Sequence, residues 1–198
     1  MKTIYTLILI GISFSNPIFS KTLHYIEILG KQNEFLSKWE LNKLPNESTI
    51  SGNTLLDQIF IVVKNGNTVK WKNKRKQQDY SFVATKTNDI INIKGTKKNT
   101  PFNKAIKVTD APWYQTPGFL LKPFILSNKK KMTFFMLRAQ SLTPILLEIK
   151  KAGTEELIIN NETFTSIRTE IYPASFLKLF WKASMWFDKE TGKILKYD

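Results

Sequence analysis

Few residues in this chain are of the kinds that do chemistry, and their spacing argues mostly against it. There is one histidine, His24, and no cysteine, which removes the usual zinc ligand sets and any Cys-His nucleophile. His24 falls in a segment that alternates like a strand and reads as an ordinary strand residue. No G-x-S-x-G elbow, phosphate-binding glycine loop or dinucleotide fingerprint occurs. Two carboxylate pairs remain, Glu155 with Glu156 and Glu170 with Asp188, which would have to converge to act as a glycosidase pair. As surface charges at strand ends they need no partner. No catalytic residue, metal site or cofactor is expected, and the chain is not read as an enzyme.

What the sequence holds in excess is apolar and aromatic bulk together with lysine. There are 14 Phe, 5 Trp and 6 Tyr, most of which must fill a core. The 30 basic residues outnumber 16 acidic ones and give a net charge of +14. Such a surface associates with polyanions in a salt-dependent way, including anionic lipid headgroups. The arginines are only Arg75, Arg138 and Arg168, and the planar guanidinium fork is what reads bases and phosphates geometrically. Specific nucleic-acid recognition is therefore not expected, whereas non-specific contact with an anionic membrane surface is. The lysine excess also sits in a chain rich in Asn and Ile, the composition that an AT-biased genome imposes. Lys70-Trp71-Lys72-Asn73-Lys74-Arg75-Lys76 interleaves base and aromatic, a pattern that suits a headgroup or a nucleic-acid strand and equally a solvated hairpin end.

Residues 1–20 have the three parts of a secretory signal peptide. Lys2 supplies the charge, 4–14 is an uncharged, mostly apolar run, and Asn16-Pro17 breaks it before a small residue, Ser20. The run is shorter than the roughly twenty residues a spanning helix needs. The expected product starts near Lys21, is soluble and periplasmic or secreted, and comprises one domain over 21–198 that acts as a monomer. A domain of this length can build its core without staples.

Within that domain, period-two alternation and turn residues dominate. A strand over 23–28 stopping at Gly30, a returning strand over 35–41, and a hairpin from 59 to 71 about Asn65-Gly66 open the pattern. Asn-Gly supplies the positive φ angles of a type I′ turn. Strands follow over 80–84 and 90–94, then a polar stretch, 96–109, that reads as a loop. Residues 118–127 place apolar side chains at helical spacing, but Pro117 and Pro123 limit any helix to a turn or two. Further strands are expected over 132–139, 145–151, 155–159, 163–172, 177–187 and 193–197, with turns at Lys151-Ala152-Gly153, Asn160-Asn161, Pro173-Ala174 and 188–192. The fold class is mainly β: an antiparallel curved sheet or open β-barrel with a short helical lid.

The second half carries a family likeness. Phe134-Phe135, the run Glu155-Glu156-Leu157-Ile158-Ile159-Asn160-Asn161, Ile167, Phe180-Trp181, Met185-Trp186-Phe187-Asp188-Lys189-Glu190-Thr191-Gly192 and Leu195-Lys196-Tyr197 occur in an order that resembles an uncharacterised family of bacterial envelope proteins. Their sheets are similar to the open barrel of the periplasmic lipoprotein carriers of the LolA and LolB type. The resemblance implies an envelope protein with a curved sheet and, for a carrier, a lipid or other hydrophobic ligand.

A lid over such a sheet makes an apolar cavity if it does not fill it. The residues expected to line that cavity are Phe119, Phe124, Phe180, Trp181 and Trp186. Trp181 and Trp186 have opposite parity along a strand, so Trp181 is expected in the core and Trp186 on the other face. The alternative is an envelope interaction protein whose apolar face is filled by its own side chains.

Overall fold

The computed structural model describes residues 5–7, 19–29, 33–175 and 181–198. Most of the expected leader, the stop at Gly30 and residues 177–180 of the expected 177–187 strand lie outside the described residues. What is described is one antiparallel sheet of fourteen strands with two single-turn helices. The strands are β1 (Tyr5–Leu7), β2 (Phe19–Leu29), β3 (Asn33–Lys43), β4 (Ser48–Asn53), β5 (Asp57–Lys64), β6 (Asn67–Arg75), β7 (Tyr80–Thr87), β8 (Ile90–Lys97) and β9 (Thr100–Lys107). After α1 (Pro117–Leu120) and α2 (Lys122–Ile125) come β10 (Lys131–Leu137), β11 (Pro144–Ile159), β12 (Glu162–Pro173), β13 (Ala183–Asp188) and β14 (Ile194–Tyr197). The spatial order starts at β10, runs through β14 to β1, and ends at β9. Phe19 and Ser20, assigned from sequence to the end of the leader, form the first rungs of β2 opposite Lys43 and Asn42.

Turn chemistry sets the register as expected. Asn65 and Gly66 take φ of 50° and 74°, Asn160 and Asn161 take 53° and 65°, and Gly192 takes 65°; these are the left-handed conformations that tight hairpins require. Three elements depart from the sequence expectation. Residues 96–109 are not a loop: Lys98 and Asn99 turn with φ of 51° and 59° and send the chain back as β9. Lys151-Ala152-Gly153 is not a turn but an irregularity inside the continuous β11, which stays paired with β12 on both sides of it. β13 starts at Ala183, so Trp181 precedes the strand and is 45% exposed; the expectation of a buried Trp181 is overturned.

The end strands β10 and β9 do not pair with each other. The sheet curls instead, and residues 112–115 stitch β10 to β6. Phe135 N–H donates to the Pro112 carbonyl at 2.9 Å and Tyr114 N–H to the Phe135 carbonyl at 3.0 Å, while Thr68 N–H donates to the Trp113 carbonyl at 2.9 Å. Thr68 is free to do so because the β6–β7 ladder begins only at Lys70. The Gln115 side chain reinforces the seam. Gln115 Oε1 accepts from Trp113 Nε1 at 2.9 Å and from Leu137 N–H at 3.1 Å, and its Nε2 donates to the Leu137 carbonyl at 3.0 Å. All of these groups are buried, where an unpaired one would be costly.

β10 is buried on both faces by this curl. Phe135 and Leu137 point into one cluster with Ile61, Trp71, Phe82, Ile91 and Ile93. Phe134 points into a second with Leu147, Ile149, Ile171, Met185 and Phe187. Consecutive phenylalanines serve opposite faces because strand side chains alternate.

Candidate functional site

The lid lies over both clusters. Leu120 belongs to the first, and Leu121, Phe124 and Ile125 belong to the second. Phe119 packs against Trp39 at a ring separation of 5.0 Å and against Tyr25 at 6.0 Å. Trp39 can reach it because the residue opposite, Gly52, has no side chain: a Cβ there would stand 2.5 Å from the Trp39 ring. The far end of the lid is tied down by Lys151. Its ammonium donates to the Ile125 carbonyl at 2.9 Å and to the Ser127 carbonyl, and lies 5.3 Å from the centre of the Phe124 ring. Burial pushes the Lys151 ammonium below its ordinary pKa.

The four expected ligand residues that are described, Phe119, Phe124, Trp181 and Trp186, do not gather around one interior. Phe119 joins the first cluster and Phe124 the second. Phe180 lies outside the described residues, and Trp181 is exposed. Trp186 is buried at 7% exposure, but on the face of β13 opposite to Met185 and Phe187, as its parity predicts. There its indole N–H donates to Glu155, the Lys196 ammonium stands 4.7 Å from its ring centre, and Arg168 covers it at 5.9 Å. This is a charged outer surface wrapped around an indole rather than a cavity wall.

Three of the four candidate carboxylates are engaged in the same way, Glu155 by the Trp186 indole among them. Glu170 is ringed by Lys150 and Lys182, each at 3.0 Å, and by Arg168 at 3.6 Å. Asp188 accepts from Thr191 N–H and Oγ1, both at 2.6 Å, and so closes its own loop. Asp188 stands opposite Ser166 and Glu170 opposite Ser184, four residues apart along β12, or about 13 Å. Glu155 and Glu156 are strand neighbours with opposite parity.

Hydrogen bonds from Lys150 and Lys182 hold the Glu170 carboxyl below the ordinary carboxylate range. A carboxyl with its folded pKa depressed adds stability above its unfolded value of 4.5 and loses it as the pH falls below that. Glu170→Gln is therefore expected to lower stability by about 1 kcal/mol near pH 7, a modest figure because the lysines reach into solvent. The deficit should shrink progressively as the pH falls below 4.5 and through the lower folded value, which denaturant melts of both proteins across that acid range would show.

The run 70–76 resolves by parity. Trp71 is buried in the first cluster at 2% exposure, and Lys72 and Lys74 point outward. The aromatic on the lysines' face comes instead from the neighbouring strand: Phe60 is opposite Lys72, whose ammonium lies 5.6 Å from its ring centre. A shallow depression of about 430 Å³ is lined by Phe60, Val83, Lys72, Lys74 and Lys94 among others. Sequence reasoning finds the lysines but misses Phe60, Val83 and Lys94, which join them only through register.

The fold has a solved counterpart. The chain aligns over 99% of its length, and over 94% of the other, with the crystal structure of a beta-barrel-like protein of domain of unknown function DUF1849 from Brucella abortus. The TM-score is 0.53 and the identity 9%, so the likeness is one of fold. No family model matches the chain, and no curated protein matches it. The fold is thus that of an uncharacterised β-barrel-like protein, mostly antiparallel strand with two short helices and a sheet that does not close.

Proposed function

We propose that this chain is an exported, non-catalytic interaction protein of the cell envelope whose curled sheet is filled by its own side chains. The observation that carries this reading is the fit of the lid: Leu121 is 0% and Ile125 1% exposed, packed in the same cluster as Phe134 and Phe187. A lipid carrier, the reading that the resemblance to LolA and LolB implies, asks for a void of about 300 Å³ or more between sheet and lid. The burial of Leu121, Phe124 and Ile125 against Phe134, Ile149 and Phe187 supports a filled space there instead. Export rests on the leader-like residues 1–20, with cleavage near Lys21. The working surface is then the outside of the sheet, where charge and exposed apolar groups meet. Titration of the purified protein with a fluorescent fatty-acid analogue tests the reading: no saturable signal is expected, and a saturable one-to-one complex would restore the carrier.

A further inference from the structure

We propose that the outer face of β5–β8 is a docking surface for an anionic lipid bilayer. Cross-strand register assembles it from three rows. Phe60, Lys72, Val83 and Lys94 stand opposite one another in the central row, flanked by Gln58, Lys74, Ser81 and Thr96 on one side and Val62, Lys70, Thr85 and Asn92 on the other. The rows hold four lysines and no acidic residue. Among the described residues, none of the four has a carboxylate within ion-pair distance; the ion pairs of the chain involve other cations.

The other half of the sheet shows that this is more than a lysine-rich composition. There Lys150, Lys182 and Arg168 surround Glu170, the ordinary arrangement in which charges oppose their counterparts across strands. On the β5–β8 face Lys72 has Phe60 and Val83 as its neighbours instead, over the depression of about 430 Å³. Cations set on apolar ground suit the boundary between headgroups and acyl chains, where the ammonium meets phosphate and the stem meets hydrocarbon. Lys70, Lys72 and Lys74 are spaced about 7 Å apart along β6, with Lys94 about 10 Å across from Lys72, so each can address a separate headgroup. A nucleic-acid strand fits less well. It wants exposed stacking aromatics and arginine, but Trp71 points into the core and the nearby Arg75 is paired with Asp57 at 3.3 Å.

This inference deepens the interaction-protein reading by naming its surface and partner. The test is flotation of the purified full chain with vesicles of phosphatidylcholine alone or with about one-third phosphatidylglycerol, at low salt and at about 0.3 M salt. Binding is expected only to the anionic vesicles, weakened by salt. The variant K72Q/K74Q/K94Q should lose about 100-fold in partitioning, at about fivefold per lysine. The charge-matched variant K129Q/K130Q/K189Q should stay within about threefold of the parent. All three proteins share residues 1–20, so differences among them on one vesicle type do not come from that apolar run. Should the glutamine triple not fold, Lys94→Glu alone decides on the same vesicles, with a loss of about tenfold or more expected. Equal losses in the two triples, or no binding by the parent, would overturn the assignment. So would a single-stranded oligonucleotide held more tightly than the vesicles through the same lysines. Absent vesicle binding with no fatty-acid complex sinks the docking face and leaves the filled interior standing.

Discussion

Leu121→Ala is expected to cost about 3–5 kcal/mol of unfolding free energy in urea melts. Leu121 is fully buried between α1 and α2 and packs into the cluster of Phe134, Ile149 and Phe187. Its truncation removes the transfer energy of the lost methyls and leaves a hole that the surrounding strands cannot close. A lid residue facing a ligand void would behave differently, since the void is already there and truncation merely enlarges it. Leu126→Ala is the internal control: Leu126 is 48% exposed, and its loss should fall within about 0.5 kcal/mol of zero. Similar small effects at both positions would show that the lid does not plug the sheet.

Gln115→Leu should be as damaging for a different reason. Leucine conserves bulk but leaves Trp113 Nε1, the Leu137 N–H and the Leu137 carbonyl without the partners they have in Gln115. Three buried groups left unpaired amount to about 3–5 kcal/mol, or roughly 10 °C in melting temperature for a domain of this size. Gln115→Glu separates lost bonding from lost shape. A carboxylate can accept from Trp113 and the Leu137 N–H but cannot donate to the Leu137 carbonyl, whereas the protonated acid can do both. The glutamate variant should thus gain stability relative to the parent as the pH falls towards 4. Its burial raises the folded pKa, so the advantage is present below the unfolded value and is lost as the pH rises through the folded one. A pH-independent difference between Gln115→Glu and the parent would mean that the seam does not depend on this side chain.

Local chemistry makes much of the fold legible in the sequence. Asn65-Gly66 signals a type I′ hairpin, Gly192 a longer loop, and Pro117 with Pro123 a lid cut into single turns; each of these is visible within a few residues. The departures arise where the deciding partner is distant. Lys98-Asn99 carries only half of a turn signal, and β9 is an edge strand with little burial and hence no alternation to read. Gly153 serves a turn or a bulge equally well, and only pairing with β12 makes it a bulge. β4, with sequence STISGN, is too polar to stand out, yet it places Gly52 under Trp39.

The candidate sites divide along the same line. Parity predicts that Lys70, Lys72 and Lys74 share a face and that Trp186 lies opposite the core face of its strand. It cannot predict that Phe60 and Lys94 complete the basic face, which depends on register across four strands. Nor can it show that the aromatic side chains grouped as one cavity are split among two clusters, an outer surface and a loop, because that depends on how the sheet curls.

The central claim is that the interior is made of this chain's own side chains. Extraction of the protein, purified without detergent from cells that export it, into organic solvent followed by mass spectrometry tests it most directly. The packing of Leu121, Phe124, Ile125 and Phe134 predicts no lipid in stoichiometric amount, with only traces that scale with the vesicle affinity of the lysine face. One lipid species recovered at about one molecule per chain, and retained when Lys72, Lys74 and Lys94 are replaced by glutamine, would contradict it.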